Sequence, residues 1–176
     1  LSDAREMAQE ARRCGRWLAV VSQNRYIPGI VHARKLIQEG RLGALRGAWS
    51  QLTWWRPPSY YECDWKGSWE TEGGGVVIDQ AIHSIDLVRW LMDSPVKAVQ
   101  GHIARRILTN IEVEDEADAA IEFENGAVYA FFACNYYTHN SPIRLEIDGE
   151  KGSVLLEGET VTVSLKGEKP YRILPC

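Results

Sequence analysis

The sequence predicts an α+β fold: a large, mostly antiparallel open sheet with helices on one face, preceded by a separate αβ unit. Three observations predict it. Helical periodicity and helix-terminal residues dominate up to Met92, six strand-like segments joined by turn residues fill the remainder, and a short apolar run, Leu18-Ala19-Val20-Val21, stands by itself near the start.

Ser2 and Asp3 precede Ala4 to Arg13, a run of strong helix formers that stops at Gly15 in a C-cap position. Leu18 to Val21 then has the unbroken hydrophobicity of a strand buried on both faces, so the two together read as an αβ step of a parallel sheet. A second helix is signalled by Pro28 near its start, by Ile30, Val31, Leu36 and Ile37, and by Gly40 at its end. Leu45 to Trp55 reads as a strand that Pro57-Pro58 stops. The aromatic, charged and non-periodic stretch from Pro57 to Gly75 is long for a loop in a compact domain, and such loops are usually functional. A third helix follows the glycines, with Asp79 as its N-cap. Beyond it, Val96 to Ile107, Glu116 to Phe123, Ala127 to Tyr137, Ile143 to Ile147, Ser153 to Leu156 and Thr160 to Leu165 read as strands. Asn125-Gly126, Asp148-Gly149 and Glu157-Gly158 supply hairpin turns, which predicts an antiparallel meander.

Composition excludes several classes. At 176 residues, 45% hydrophobic and 25% charged, the chain is that of an ordinary globular domain, with no apolar run of the ~20 residues a membrane span needs. A net charge of -4 argues against a nucleic-acid surface. Cys14, Cys63, Cys134 and Cys176 are scattered and suggest free thiols. With no charged-then-apolar leader, a cytoplasmic location is expected.

The helix after Gly73-Gly74-Gly75 carries the chemistry. Asp79, His83 and Asp86 fall at four- and three-residue steps, which stacks them on one helical face. This is an acid/base site in outline, and histidine, with an ordinary pKa of ~6.5, suits proton transfer near neutral pH. Three readings of the residues stand side by side: Asp79 and His83 as an acid/base pair, Asp79 as a cap beside a structural histidine, or a metal site, for which the convergent donors are too few. Asp86 is expected to pair with Arg89 three residues on. Trp54, Trp55, Trp65 and Trp69 lie close together in sequence and could stack on a sugar or fill a core.

Taken together, Asn24-Arg25-Tyr26, Gly40-x-x-Gly43, Trp65-Lys66-Gly67-Ser68-Trp69, the three glycines, Asp79-x-x-x-His83-x-x-Asp86, Glu114-Asp115, Asn125-Gly126 and Gly149-x-x-Gly152-Ser153 resemble the Gfo/Idh/MocA oxidoreductases. The resemblance runs over nearly the whole chain. It implies that residues 1–22 are the last helix and strand of a Rossmann domain, and that residues 23–176 form the substrate-binding and oligomerisation domain. It implies Asp79 and His83 as catalytic residues, with Arg25, Tyr26, Trp65, Lys66, Trp69 and His139 around a sugar-like substrate. Lys66 departs from the arginine frequent at that position, replacing a bidentate grip with a point charge. NAD or NADP is implied for the full-length protein and none for this chain, which has no G-x-G-x-x-G. Glu168-Lys169-Pro170 repeats the family's lysine motif at the wrong end of the chain and is read as coincidence. The implied function is an NAD(P)-dependent dehydrogenase acting on a sugar, polyol or related hydroxy compound, inert without its cofactor domain and assembled as a homodimer or homotetramer through the open sheet face. The alternative is a sugar-binding or scaffolding module that kept the fold without the chemistry.

Overall fold

Alternating apolar and polar residues bring eight strands into one sheet. The computed structural model describes residues 2–175; of the four cysteines, Cys176 lies outside them, while Cys14 and Cys63 are exposed and Cys134 is buried, all three as free thiols. The strands are β1 (Leu45–Thr53), β2 (Val96–Ala104), β3 (Glu116–Phe123), β4 (Val128–Cys134), β5 (Arg144–Gly149), β6 (Gly152–Glu157), β7 (Thr160–Leu165) and β8 (Tyr171–Ile173). The helices are α1 (Ser2–Arg13), α2 (Pro28–Gln38) and α3 (Ile82–Met92).

The strand order is β2-β3-β4-β1-β5-β6-β7-β8. The expected meander is therefore interrupted. β1 inserts between β4 and β5, parallel to the first and antiparallel to the second. Its inward side, Ala48, Ser50 and Leu52, is buried, and flanking on both edges gives its backbone groups their partners. Every other neighbouring pair is antiparallel. β8, short and half exposed, had no turn or alternation signal.

One face of the sheet is covered. α2 packs on β6 and β7, α3 packs on β1, and the core between them includes Ile30, Leu52, Leu87, Leu91, Phe123, Tyr129 and Ile147. Tyr129 keeps its hydroxyl satisfied by a 2.6 Å bond with Ser50, and burial pushes its pKa well above the ordinary phenol range. The opposite face carries Trp49, Val128 and Phe132 among polar residues, and Trp49 donates its indole N–H to Glu146 at 3.0 Å.

The separate strand expected at Leu18 to Val21 does not form. Residues 16–22 are irregular, with Trp17 fully exposed and Val20 91% exposed. A strand apolar on both faces needs strands on both edges, and none of the described residues pairs with it. α1 forms as expected but buries none of its residues.

Candidate active site

Three glycines let α3 begin where it does. A Cβ on Gly75 would stand 1.9 Å from the Glu114 carbonyl oxygen, so only glycine allows this approach. Glu114 then caps the helix from outside. Its carbonyl accepts the Val76 N–H at 3.1 Å, and its carboxylate Oε1 accepts the Val77 N–H at 3.1 Å. Asp79 is thus not the N-cap that the sequence suggested. It lies three residues past the cap position at Val76, in a π-turn over Val77–Ala81 that leads into α3, and π-turns of this kind are frequent at functional sites. Because Glu114 satisfies the helix end, the Asp79 carboxylate is available for side chains.

Those side chains come from the long loop. Tyr60 and Lys66 both donate to Asp79 Oδ2, at 2.7 and 3.0 Å, and Lys66 also donates to the Tyr60 hydroxyl at 2.9 Å. Lys66 is nearly buried, with Glu72 3.6 Å away on its other side and the Tyr60 and Trp65 rings 4.2 and 4.4 Å from its ammonium. Burial by itself would raise the Asp79 carboxyl, but the bonds from Tyr60 and Lys66 and the lysine charge outweigh it and hold Asp79 below the usual carboxylate range. Burial likewise opposes the Lys66 charge, and the bonds to Tyr60 and Asp79 more than compensate, raising its affinity for the proton. No donor among the described residues reaches Asp79 Oδ1.

The loop is itself anchored. Tyr61 buries with Ile111 and Val113, the Gly67 carbonyl accepts the Glu112 N–H at 2.6 Å, and the Gly67 N–H donates to Glu72 at 2.6 Å. Asp115, fully buried, accepts the N–H groups of Arg106, Ile107 and Leu108 and fixes the facing loop. Asn135 donates to the Tyr61 hydroxyl at 3.0 Å, and burial pushes that hydroxyl up to about 12.

His83, half-buried, follows Asp79 by four residues, just inside the start of α3. Asp86, the next residue of this row, does not pair with Arg89. Arg25, in a short 3-10 turn over Gln23–Tyr26, reaches it with a two-pronged grip, Nε to Oδ2 at 2.8 Å and Nη2 to Oδ1 at 2.5 Å. Arg25 meets both carboxylate oxygens at once, and it holds Asp86 below the usual carboxylate range. Of the residues expected around a substrate, the structure brings Arg25, Lys66 and Trp65 to the row on α3. Tyr26 is 76% exposed and Trp69 is 49% exposed, with no side-chain partner among the described residues. His139 bonds only with its neighbours Thr138 and Ser141. Sequence reasoning missed Tyr60 and Glu72 as members of the cluster. Tyr60 is 19 residues from Asp79, and no linear spacing announces such a pair.

The described residues contain no glycine-rich turn between a strand and a helix that would cradle a dinucleotide pyrophosphate.

The architecture is one eight-stranded, mostly antiparallel sheet with helices packed on one face. A model of the GFO/IDH/MocA C-terminal domain matches residues 30–155, and the chain belongs to that family. It is 28% identical to scyllo-inositol 2-dehydrogenase (NAD(+)) of Bacillus subtilis over 99% of this chain and 51% of that protein. It is 31% identical to levoglucosan dehydrogenase of Pseudarthrobacter phenanthrenivorans over 77% of this chain and 40% of that protein. The crystal structure of the WlbA dehydrogenase from Bordetella pertussis, in complex with NADH and UDP-GlcNAcA, superposes with a TM-score of 0.86 at 31% identity, covering 96% of this chain and 53% of that one. The chain spans about half the length of the curated relatives it matches first.

Proposed function

We propose that the chain is the substrate-binding and oligomerisation domain of an NAD(P)-dependent dehydrogenase acting on a sugar, polyol or related hydroxy compound. In this reading residues 1–22 belong to the cofactor domain and residues 23–176 to the substrate domain. The exposure of α1 and of the apolar run after it fits that division. The chain alone turns over no NAD(P)H, because the hydride carrier is held elsewhere. Its relatives with about twice its length are dehydrogenases of sugars and cyclitols by name.

The observation that carries the reading is the Tyr60-Lys66-Asp79 cluster, with half-buried His83 four residues further along the chain, at the start of α3. Asp79, kept ionised, serves poorly as a proton acceptor near neutral pH and well as a fixed charge. His83 accepts the substrate's hydroxyl proton, and the free Oδ1 of Asp79 orients either the imidazole or a neighbouring hydroxyl. In a protein joining this chain to an NAD(P)-binding domain, His83→Ala and Asp79→Ala should each lower kcat by about 10²-fold or more. Normal kcat with an unchanged pH profile in both variants would refute the assignment. Assembly uses the uncovered sheet face, where Trp49 and Val128 are exposed. Sedimentation at micromolar concentration should give a dimer or tetramer, and Trp49→Glu should shift it toward monomer.

A further inference from the structure

Arg56 differs from the other partly buried arginines of the chain. Arg25 has Asp86 and Arg34 has Asp93 at 3.1 Å. Arg56 forms no ion pair among the described residues. Its Nη1 donates to the adjacent Trp55 carbonyl at 3.2 Å, and its Nε is buried without an acceptor. A guanidinium held this way costs free energy unless something supplies the missing oxygen.

The group is nevertheless fixed in place. The Arg56 N–H donates to the Asn135 carbonyl at 2.8 Å, and its guanidinium carbon stacks 4.6 Å from the Trp54 ring centre and 5.0 Å from that of Tyr60. It lines a cavity of about 600 Å³ together with Trp54, Gln23, Asn24 and Asn140, a size that suits a small ligand. Glu159, exposed on the rim, is the carboxylate of this lining. Ser84, the residue after His83, lines the same cavity, and the Tyr60 ring that stacks on Arg56 donates its hydroxyl to Asp79. Cavity and candidate catalytic face are therefore one tyrosine apart.

We infer that this cavity is an anion-accepting subsite, in which Arg56 receives the carboxylate or phosphate of a sugar-like ligand whose hydroxyls extend toward α3. The inference rests on the reading of the chain as a binder of hydroxy compounds. It adds that the ligand is acidic. An oxyanion would satisfy the buried Nε and take a charge-assisted bond in a site already stiffened by two aromatic rings, while Gln23, Asn24 and Asn140 offer amides to hydroxyls.

The test needs no turnover. The 15N-labelled chain is titrated with D-glucuronate, D-glucose 6-phosphate, inorganic phosphate and the neutral methyl glucoside, following the Arg56 Nε–H and the Gln23 and Asn140 side-chain amides. One or both acidic sugars should move these signals at a concentration about tenfold lower than the neutral sugar, and Arg56→Met should weaken that response by about tenfold while Arg56→Lys restores part of it. Response to glucuronate alone assigns a carboxylate, and response to glucose 6-phosphate beyond that to inorganic phosphate assigns a phosphorylated sugar. Equal responses to all the sugars, an unaffected response in a folded Arg56→Met, or no movement at Arg56 at tens of millimolar would overturn the inference. The preference for acidic over neutral sugars is read without turnover, so failure of the dehydrogenase assignment, seen in kcat, and failure of the subsite, seen in the titration, give different results.

Discussion

The two carboxylates that bracket His83 are held in opposite ways. At the far end, Asp86 gives both oxygens to the Arg25 fork, on a part-exposed surface. At the near end, Asp79 gives Oδ2 alone to Tyr60, Lys66 and a longer 3.4 Å contact from Gln80, in a nearly closed cluster. A carboxylate with both oxygens engaged is a brace. One with a free oxygen and a charge locked by its partners is ready to meet a ligand. The difference supports the proposal that puts structure at one end of the row and chemistry at the other, although the two aspartates look alike in sequence.

The contrast can be broken first at its foundation. Gly75→Ala would drive a methyl group into the Glu114 backbone and unseat the start of α3, and a loss of about 4 kcal/mol is expected by chemical denaturation. Lys66→Met removes one partner of a nearly buried charge pair and should cost about 3 kcal/mol. In the same variant the Asp79 carboxyl, followed by 13C NMR, should titrate at higher pH than in the parent.

The pH dependence follows from the sign of that shift. Asp79 is depressed in the folded chain, so its contribution to stability is complete above the ordinary carboxylate pKa of ~3.9 and is lost as pH falls through the lower folded value. The melting temperature should drop below about pH 4, less steeply in Lys66→Met. At the other end, Arg25→Met should cost only about 1 kcal/mol, because the pair is partly exposed and screened. His139→Ala, on an exposed loop, should stay within about 0.5 kcal/mol by thermal melting.

Much of this was legible beforehand for physical reasons that act over short distances. The hairpin turns at Asn125-Gly126 and Asp148-Gly149, the alternation of β3 to β7, and the Pro28 start of α2 are local signals, and each names its own element. Asp79 and His83 were legible as a row because a helix fixes the geometry of neighbours four apart. The errors fall where a distant group takes over a local role. Glu114 displaced Asp79 as the cap, Arg25 displaced Arg89 as the partner of Asp86, and β1 crossed into the middle of the sheet. Leu18 to Val21 failed as a strand because hydrophobicity provides only half of what a buried strand requires.

By itself the sequence determined the class of fold, the helix that carries the polar row, and the resemblance that places the chain in its family, since all three rest on periodicity and short motifs. Tertiary structure alone decided that Asp79 is a free-oxygen carboxylate clamped by Tyr60 and Lys66, and that Arg56 faces a cavity without a partner. The physical reason is that ionisation and hydrogen bonding depend on what stands within a few ångströms in space. Loop closure brings together groups whose separation along the chain follows no period.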